Sequence, residues 1–209
     1  MTTRRPAARQ RSPDERPPEL HDAWLARHGE TEWARLGRHT SRTDIPLTRK
    51  GRSQARELGR RLAGHDFALV VTSPMARAVD TAALAGFGDR AVVDDDLREW
   101  DYGVFEGRLT THIRSDHPGW AIWRGPWIGG ERVEDVSARA DRVVERLRAT
   151  NGDTLVFGHG HMLRVIAARW LGLSASAGEH FALGTATLSI LGWERESPVI
   201  EAWNEDCRD

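Results

Sequence analysis

The sequence predicts an α/β fold, a three-layer α/β/α sandwich around a mostly parallel sheet with an antiparallel strand. Two observations carry this prediction. Short apolar runs alternate along the chain with segments whose apolar residues recur at helical spacing, and polar, glycine-rich residues follow the apolar runs. Strands that alternate with helices are typical of parallel sheets covered by helices on both faces. The 209 residues suffice for one domain with a sizeable core, and the chain shows no internal repeat.

Composition narrows the classes of function. The formal net charge of -1 and the pI near 6.8 leave no overall basic field, which disfavours nucleic acid as a partner. The single cysteine, Cys207, excludes an intramolecular disulfide framework and a cysteine-rich metal site, and it fits a reducing cytoplasm. No apolar run reaches the about 18 residues of a membrane helix, and the N-terminus lacks the apolar core of a secretory signal. We therefore expect a cytoplasmic protein without a membrane partner, and the sequence leaves open whether it forms a homo-oligomer.

Residues 1–20 differ in composition from the rest. They contain arginines and prolines and almost no large apolar side chains. Such a segment cannot bury enough surface to offset the entropy lost on ordering, so we predict a disordered N-terminal tail. The folded domain is expected at residues 21–205.

The first half of the domain predicts strands and helices in alternation. Strands are expected at 23–26, 67–72 and 91–93, a loop at 40–48, and helices at 49–63 and from residue 74 onward. Thr48 suits the N-cap of the first helix, whose apolar residues recur at helical spacing. Pro74 suits the first turn of the second helix, so Arg77 lies near a helix start, where backbone N–H groups favour anions.

The second half begins with an irregular insertion. Residues 108–130 hold tryptophans, prolines and a glycine pair without a clear period, and we interpret them as a helical cap over a crevice. The alternative is that the tryptophans only pack the insertion onto the domain. Further elements are expected as a helix at 131–149, a strand at 154–157, a helix at 161–171 and strands at 186–193 and 199–203. The last two strands flank a Ser197-Pro198 turn and give the sheet antiparallel character.

Four polar stretches follow apolar segments. They are Arg27-His28-Gly29-Glu30-Thr31, Ser73-Pro74-Met75-Ala76-Arg77-Ala78, Leu97-Arg98-Glu99-Trp100-Asp101-Tyr102-Gly103 and Phe157-Gly158-His159-Gly160-His161-Met162-Leu163-Arg164. Open α/β sheets place reactive groups at the carboxyl ends of their strands. Arg27 is a permanent cation suited to phosphate or carboxylate, and His28 is partly neutral and nucleophilic near pH 7. An isolated Arg-His pair is usually unremarkable in function, and it is the ordered combination that is specific.

In this order the stretches resemble the histidine phosphatase superfamily, also called phosphoglycerate-mutase-like, over nearly all of the chain that is expected to fold. The resemblance implies a phosphoglycerate-mutase-like fold and phosphoryl transfer through a phosphohistidine. It implies that His28 is the nucleophile and that Arg27, Arg77 and His159 cradle the phosphate, with His159 also among the catalytic residues. It further implies that Glu99 protonates the departing alcohol and then activates water.

The physical chemistry fits these roles. Clustered cations lower the pKa of His28 and keep it neutral, whereas Glu99 needs surroundings that favour its protonated form if it is to act as an acid. The arginines supply the electrostatic stabilisation that a metal would otherwise give, so we predict neither a metal nor a cofactor. Asp101 and Glu106 are rival carboxylates, and Arg77 taken alone would more often form a surface salt bridge.

A metal site is the competing arrangement. His159 and His161 form an alternative pair of ligands, with further ligands from His112 or His117. Added chelator separates the two hypotheses, because a phosphohistidine enzyme is indifferent to it.

Two departures from the family pattern bear on the reaction. Many members carry Asn where this chain has Ala34, so one polar contact to the phosphate is missing or comes from Thr40 or His39. The longer insertion with an arginine pair and a proline-rich run, which marks the cofactor-dependent mutases, is not found. A mutase must retain its bisphosphorylated intermediate, so the loss of these anion contacts favours a hydrolase.

The local sequence resembles the branch of sedoheptulose-bisphosphatase-like enzymes and broad-specificity acid phosphatases. The candidate substrate-binding residues are Thr40, Arg38, Trp123, Arg124 and Gly160. Arg38, Arg42 and Arg124 are candidates for holding a second anionic group, although Arg42 is better explained as a solvated surface charge. We therefore predict a metal-independent phosphomonoesterase whose partners are small phosphate esters, sugar phosphates among them. The alternatives are a phosphoglycerate mutase and a phosphate-binding module without turnover.

Overall fold

The computed structural model describes residues 20–207. The tail predicted at residues 1–20 lies outside the described residues except for Leu20, so it stays a prediction. Within the described range, no helix is long and apolar enough to cross a membrane.

Six strands form one sheet, and helices cover both of its faces. The strands are β1 (Ala23–Arg27), β2 (Leu69–Thr72), β3 (Val92–Val93), β4 (Thr154–Gly158), β5 (Thr187–Glu194) and β6 (Ser197–Asp206). The α-helices of the described range are α1 (Glu32–Leu36), α2 (Arg49–Leu62), α3 (Ala76–Leu84), α4 (Thr110–Asp116), α5 (Val133–Arg148) and α6 (Gly160–Trp170). The strand order is β3-β2-β4-β1-β5-β6. Strands β1 to β4 are mutually parallel and β5 is antiparallel to both of its neighbours, which confirms the predicted fold class.

Side chains of the central strands alternate between two cores. Trp24 and Ala26 of β1 pack in the cluster that holds the buried faces of α2 and α3. Ala23 and Leu25 pack on the other face, in the cluster that holds the buried faces of α5 and α6. This is the period of two that a strand imposes on its side chains. Both faces of the sheet are therefore covered, and reactive side chains must lie at an edge.

The helix starts differ in part from the sequence prediction. Thr48 is the N-cap of α2, as predicted, and its Oγ1 accepts a hydrogen bond from Gly51 N at 3.0 Å. Helix α3 begins at Ala76, so Pro74 precedes the helix instead of lying in its first turn. Arg77 is still the second residue of α3, close to the helix start as expected.

Two further features depart from the prediction. Helix α1 was not predicted, although Thr31 caps its start and Gly37 ends it in the left-handed conformation with φ 72°. The turn between β5 and β6 lies at Arg195 and Glu196 instead of Ser197-Pro198. Arg195 takes the left-handed φ of 55° that reverses the chain there.

A close backbone contact holds α2 against the loop that follows β1. A Cβ atom on Gly51 would lie 2.1 Å from the carbonyl oxygen of Glu30, and one on Gly29 would lie 2.4 Å from that of Gly51. Thr48 N donates to the same Glu30 carbonyl at 2.9 Å. The Glu30 carboxylate accepts from Thr48 Oγ1 at 3.0 Å and from Lys50 Nζ at 2.8 Å. The loop is therefore fixed to the helix by contacts that leave no room for a side chain at either glycine.

Replacing Gly51 by Ala tests this contact. The new Cβ has to push the loop away from α2, so we expect the free energy of unfolding to fall by about 1–3 kcal/mol. The expected sign is opposite to helix propensity, which favours Ala over Gly by about 1 kcal/mol. Urea unfolding measures the change. Ser53→Ala, on the exposed face of the same helix, is the control and should stay within about 0.5 kcal/mol of the wild type. A Gly51→Ala protein as stable as the wild type would contradict the tight contact.

Candidate active site

Three neighbouring strands deliver side chains to one edge of the sheet. Strands β1 and β2 each pair in parallel with β4, in a register that ends β1 level with β4 and β2 one residue earlier. The residues that follow them are His28, Ser73 and His159. Backbone hydrogen bonds continue past the strand ends, from His28 N to Gly158 O and from Ser73 N to Phe157 O, each at 3.0 Å. The parallel register thus brings the two predicted histidines together.

His28 has one ring nitrogen available for chemistry. Its Nδ1 lies 2.8 Å from the Gly29 carbonyl oxygen, which only accepts, so Nδ1 carries the ring proton. Nε2 then keeps its lone pair. Burial lowers the pKa of His28 well below 6.5, and the charges of Arg27 and Arg77 lower it further. A neutral imidazole with a free lone pair has the form that a nucleophile needs.

His159 lies behind His28. Their rings meet edge to face, with centroids 5.2 Å apart. Arg77 Nε donates to Nδ1 of His159 at 3.2 Å, so the proton lies on Nε2, which donates to Ser73 Oγ at 2.7 Å. Burial and then the Arg77 charge lower the pKa of His159 well below its ordinary value. Both ring nitrogens of His159 are therefore used within the protein.

Arg77 fixes the loop at residues 40–43. Its Nη atoms donate to the carbonyl oxygens of Thr43 at 3.1 Å, Thr40 at 3.3 Å and Ser41 at 2.9 Å. From the other side, Glu106 accepts from Ser41 N and Thr43 N at 2.9–3.1 Å. With Nε bonded to the imidazole behind it, Arg77 uses four of its five N–H bonds, and one on Nη1 is left. Arg77 is 0% exposed, so what it contributes to the neighbourhood of His28 is its positive charge.

Arg27 has a guanidinium group that is only partly bonded. Nη1 donates to Leu183 O at 2.6 Å, but Nε is buried and has no hydrogen-bond partner. A Cβ on Gly160 would lie 3.3 Å from Cζ of Arg27, so the glycine lets the guanidinium lie against the start of α6. Burial lowers the pKa of Arg27, and the charge of Glu99 opposes this shift. A buried donor without a partner is costly, and the positive charge of this guanidinium, which lines the cavity, attracts an anion.

Glu99 is held by three backbone N–H groups. Oε1 accepts from Trp100 N and Met162 N at 2.9 Å, and Oε2 accepts from His161 N at 3.0 Å. Two of these donors belong to the first turn of α6, whose partial positive charge suits a carboxylate. All three partners donate, whereas the sequence led us to expect surroundings that favour the protonated acid. The carboxyl group is therefore fixed in place as an acceptor.

A cavity of about 180 Å³ opens between these groups. Its wall contains six of the predicted site residues, Arg27, His28, Glu99, Arg38, Thr40 and Gly160. Arg77 and His159 are both 0% exposed and reach His28 from behind the wall. The five side chains predicted to surround the phosphate are thus brought together, three in the wall and two behind it.

Trp123 and Arg124 do not reach this cavity, which corrects their prediction as substrate-binding residues. Trp123 is 8% exposed and packs behind His161, with ring centroids 5.3 Å apart. Arg124 is exposed and donates to Glu179 Oε2 at 2.8 Å through both Nη atoms. Every residue from 108 to 130 is described, and none of them lines the cavity. The insertion predicted as a cap therefore packs behind the cavity wall, because its tryptophans pack in or against the hydrophobic core.

The rival carboxylates have other partners. Asp101 accepts from Gly103 N at 2.9 Å and pairs with Arg42 at 2.8 Å. Glu106 holds the loop described above. Of these three carboxylates, Glu99 lines the cavity and the other two do not. Arg42 is exposed and paired with Asp101, as expected for a solvated surface charge.

The sequence patterns did not identify four side chains of the cavity wall as candidates for ligand binding. They are Tyr102, His161, Arg164 and Leu183. His161 and Arg164 are three residues apart on α6 and lie on the same helix face as Gly160. Because Gly160 is a predicted site residue, this spacing indicates that both side chains face the same cavity. Arg164 lies over the Trp123 ring at 4.7 Å and donates to the carbonyl oxygens of residues 178 and 179. Leu183 lies in a loop that carries no sequence signal.

The geometry gives no support to a metal site at His159 and His161. Both ring nitrogens of His159 are already bonded, and Nδ1 of His161 lies 2.7 Å from Tyr102 Oη. In the part of the chain that the structure describes, no three His, Cys, Asp or Glu side chains are grouped to hold a metal ion. Neither His112 nor His117 therefore completes a ligand set.

Known proteins are similar to this chain in fold and in sequence. A profile of the histidine phosphatase superfamily (branch 1) matches residues 23–206. The acid phosphatase of Mycobacterium tuberculosis is 42% identical over 179 residues, with 83% of this chain and 87% of the relative covered. Sedoheptulose 1,7-bisphosphatase of Saccharomyces cerevisiae is 36% identical over 182 residues, with 71% of this chain and 67% of the relative covered. A solved structure of an open reading frame product from Mycobacterium tuberculosis has a TM-score of 0.86 and 38% identity, and the match covers 90% of this chain and 99% of that chain.

The buried imidazoles make stability depend on pH. Burial lowers the pKa of His28, His39, His159 and His161, that of His39 to about 4. Below pH 6.5 these histidines bind protons in the unfolded chain and stay neutral in the folded protein. Their contribution to stability is therefore complete above pH 6.5 and is lost as the pH falls toward each folded pKa. For His39 this window runs from pH 6.5 to about 4.

We expect the free energy of unfolding to fall on acidification from pH 7 to pH 5. Each such histidine contributes up to about 1.4 kcal/mol per pH unit. Urea unfolding at a series of pH values measures the slope. His39→Gln should lower the slope by about one proton, and Ser53→Ala, at an exposed position without a titratable side chain, should leave it unchanged. An equal slope in His39→Gln and the wild type would show that His39 is not a source of this dependence.

Proposed function

Because the chain belongs to the histidine phosphatase superfamily (branch 1), we propose that it hydrolyses small phosphate monoesters without a metal, through a phosphohistidine at His28. That the chain is a phosphatase follows from its family and from the relatives named above. One observation carries the finer proposal. The Nε2 lone pair of a neutral His28 lies in a cavity whose wall also holds the guanidinium of Arg27 and the carboxyl of Glu99.

In the first step, Nε2 of His28 attacks phosphorus. The P–N bond forms as the ester P–O bond breaks. The hydrogen bond from Nδ1 to Gly29 O stabilises the positive charge that develops on the ring. The guanidinium of Arg27 lines the cavity and faces the phosphate oxygens, and Arg77 adds positive charge from behind the wall.

Glu99 serves both steps as the proton carrier. It gives a proton to the oxygen that leaves phosphorus, and in the second step it takes a proton from the water that attacks the phosphohistidine. The P–N bond then breaks, inorganic phosphate leaves and His28 is regenerated. The three backbone N–H groups that donate to the Glu99 oxygens hold the carboxyl group in place for both proton transfers.

Two observations support independence from a metal. Two arginines supply the positive charge near His28, since both Arg27 and Arg77 lower its pKa. Arginines placed in this way give the electrostatic stabilisation for which other phosphatases use metal ions. The described residues also lack a cluster of metal-ligating side chains at the site.

The size of the cavity favours small substrates. Its volume of about 180 Å³ is below the range of about 300–1,000 Å³ typical of sites for drug-sized ligands. One relative is named as a phosphatase of a sugar bisphosphate, which supports phosphorylated metabolites, sugar phosphates included. The cytoplasmic location and the lack of a nucleic-acid partner stay predictions of the sequence.

A phosphoglycerate mutase is the alternative. The relative at 42% identity is named a phosphatase, which favours hydrolysis. Interconversion of phosphoglycerates at a rate above their hydrolysis would favour the mutase.

The His28→Ala variant tests the nucleophile. We expect the turnover of an aryl phosphate to fall by at least about 10⁴-fold, because the variant lacks the imidazole that forms the P–N bond. Rapid alkaline quenching after addition of a phosphorus-labelled ester should trap a phosphohistidine in the wild type and none in the variant. His180→Ala, at an exposed position outside the cavity, is the control. Excess EDTA should leave the wild-type rate unchanged.

Either of two results would refute part of this proposal. Full turnover by His28→Ala would remove the assigned nucleophile. Loss of activity in EDTA, with recovery on addition of a divalent metal, would remove metal independence.

The Glu99→Gln variant tests the proton carrier. An alkyl phosphate has a poor leaving group and needs the acid, so its turnover should fall by about 10²- to 10⁴-fold. An aryl phosphate with a good leaving group should lose much less. Asp101→Asn, at the rival carboxylate outside the cavity, should keep the wild-type ratio between the two esters. Equal losses on both esters in Glu99→Gln would show that Glu99 has a role other than protonation of the leaving group.

A further inference from the structure

We propose that Glu106 is a positioning residue for Arg77 and acts on it through the backbone of the loop at residues 40–43. Glu106 does not line the cavity, and the reaction proposed above gives it no part. The inference rests on the proposed phosphatase function, in which Arg77 supplies positive charge beside His28. It adds a requirement outside the cavity for the placement of that charge.

One peptide group of the loop lies between the two charges. Arg77 Nη2 donates to the carbonyl oxygen of Thr40 at 3.3 Å. Ser41 N donates to the Glu106 carboxylate, at 2.9 Å from Oε1 and 3.0 Å from Oε2. The Thr40 carbonyl and the Ser41 N–H belong to the same peptide bond, which therefore bridges a cation and an anion. Each charge polarises this peptide group, so each hydrogen bond strengthens the other.

Two further carbonyl groups of the loop depend on the same anchor. Arg77 donates to Ser41 O at 2.9 Å and to Thr43 O at 3.1 Å, and Thr43 N donates to Glu106 Oε1 at 3.1 Å. Glu106 thus holds the loop in the conformation that directs three carbonyl oxygens at one guanidinium group. Without the carboxylate, the N–H groups of residues 41 and 43 lose their acceptor, and the loop has to turn to satisfy them elsewhere.

Arg77 needs this support because it is a buried cation. Burial lowers its pKa, and four acidic groups oppose that shift, namely Glu99, Tyr102, Asp44 and Glu106. Of the four, Glu106 is the one whose side chain accepts hydrogen bonds from the loop that contacts the guanidinium. A guanidinium displaced by about 1 Å would shift both its charge beside His28 and its bond to His159, and a misplacement of this size costs up to about 10²-fold in rate.

The loop keeps two other attachments, so its anchor can be removed without unfolding it. Ser41 Oγ donates to the backbone carbonyl of Glu99 at 3.2 Å, and Asp44 Oδ1 accepts from Ala76 N at 2.9 Å. Glu106 itself is only partly buried. A variant at position 106 therefore tests the placement of the guanidinium and leaves the fold in place.

Glu106→Gln tests the anchor, since it keeps the size of the side chain and removes the charge and one acceptor oxygen. We expect kcat/KM to fall by about 10- to 100-fold, and by the same factor for an aryl and an alkyl phosphate, because both esters place the same phosphate group in the field of Arg77. Glu106→Asp keeps both acceptor oxygens and should lose less. Asp101→Asn is the matched control, because Asp101 also holds this loop, through the exposed Arg42. Its kcat/KM should stay within about 2-fold of the wild type.

The Arg77→Lys background distinguishes positioning from a general structural role. A lysine offers no fork to three carbonyl oxygens and the imidazole, so Glu106→Gln should cost at most about 2-fold in that background. An equal loss in both backgrounds would overturn the proposal, and so would an unchanged kcat/KM in Glu106→Gln. A loss confined to the alkyl phosphate would also overturn it, because Glu106 would then act on proton transfer by Glu99.

Inorganic phosphate tests the same placement without turnover. Calorimetric titration should show an affinity for phosphate that is about 3- to 10-fold weaker in Glu106→Gln than in the wild type. An unchanged or tighter affinity would overturn the proposal, because the removal of a negative charge by itself strengthens the binding of an anion. Absence of turnover of both esters by the wild type would refute the phosphatase function and leave this measurement to decide on Glu106.

Discussion

The burial of two guanidinium groups beside His28 is the constraint on which the rest of the site depends. Arg77 is 0% exposed and Arg27 has a buried Nε without a partner. Within residues 20–207, no carboxylate is hydrogen-bonded to either of them. Buried charge of one sign is costly, so the site favours a bound anion. Together with burial, the same two charges lower the pKa of His28, and one arrangement therefore favours both an anionic ligand and a neutral imidazole.

The part of the site that sequence predicts well is the part fixed by strand register. His28 and His159 each follow a strand directly, and the parallel pairing of those strands fixes the positions of the two residues relative to each other. The burial of Trp120 and Trp123 was not predictable in this way. Aromatic density suggests a cover for a crevice, but their burial is decided by which apolar surface lies nearest in the folded chain. Helix α1 was missed because five residues are too few to show a helical period.

Acidification weakens the site through its buried imidazoles. Burial lowers their pKa, so these groups bind protons more readily in the unfolded chain, and a falling pH favours unfolding. The contacts that hold the site against the scaffold, such as that between Gly29 and Gly51, therefore matter most at acidic pH.

Ala34 stands where the resemblance to the family leads us to expect Asn, so the phosphate contact that we propose depends more on Arg27. Ala34 lines the cavity and has no polar side-chain atom. Thr40 is nearby, but its only hydroxyl proton is donated to Arg38 O at 3.0 Å, and His39 Nε2 is bonded to Thr110. Neither residue is thus a ready substitute for the amide. Under the proposed function, the guanidinium of Arg27, which lines the cavity at the end of β1, is therefore the group left to make the contact that the side chain at position 34 cannot make.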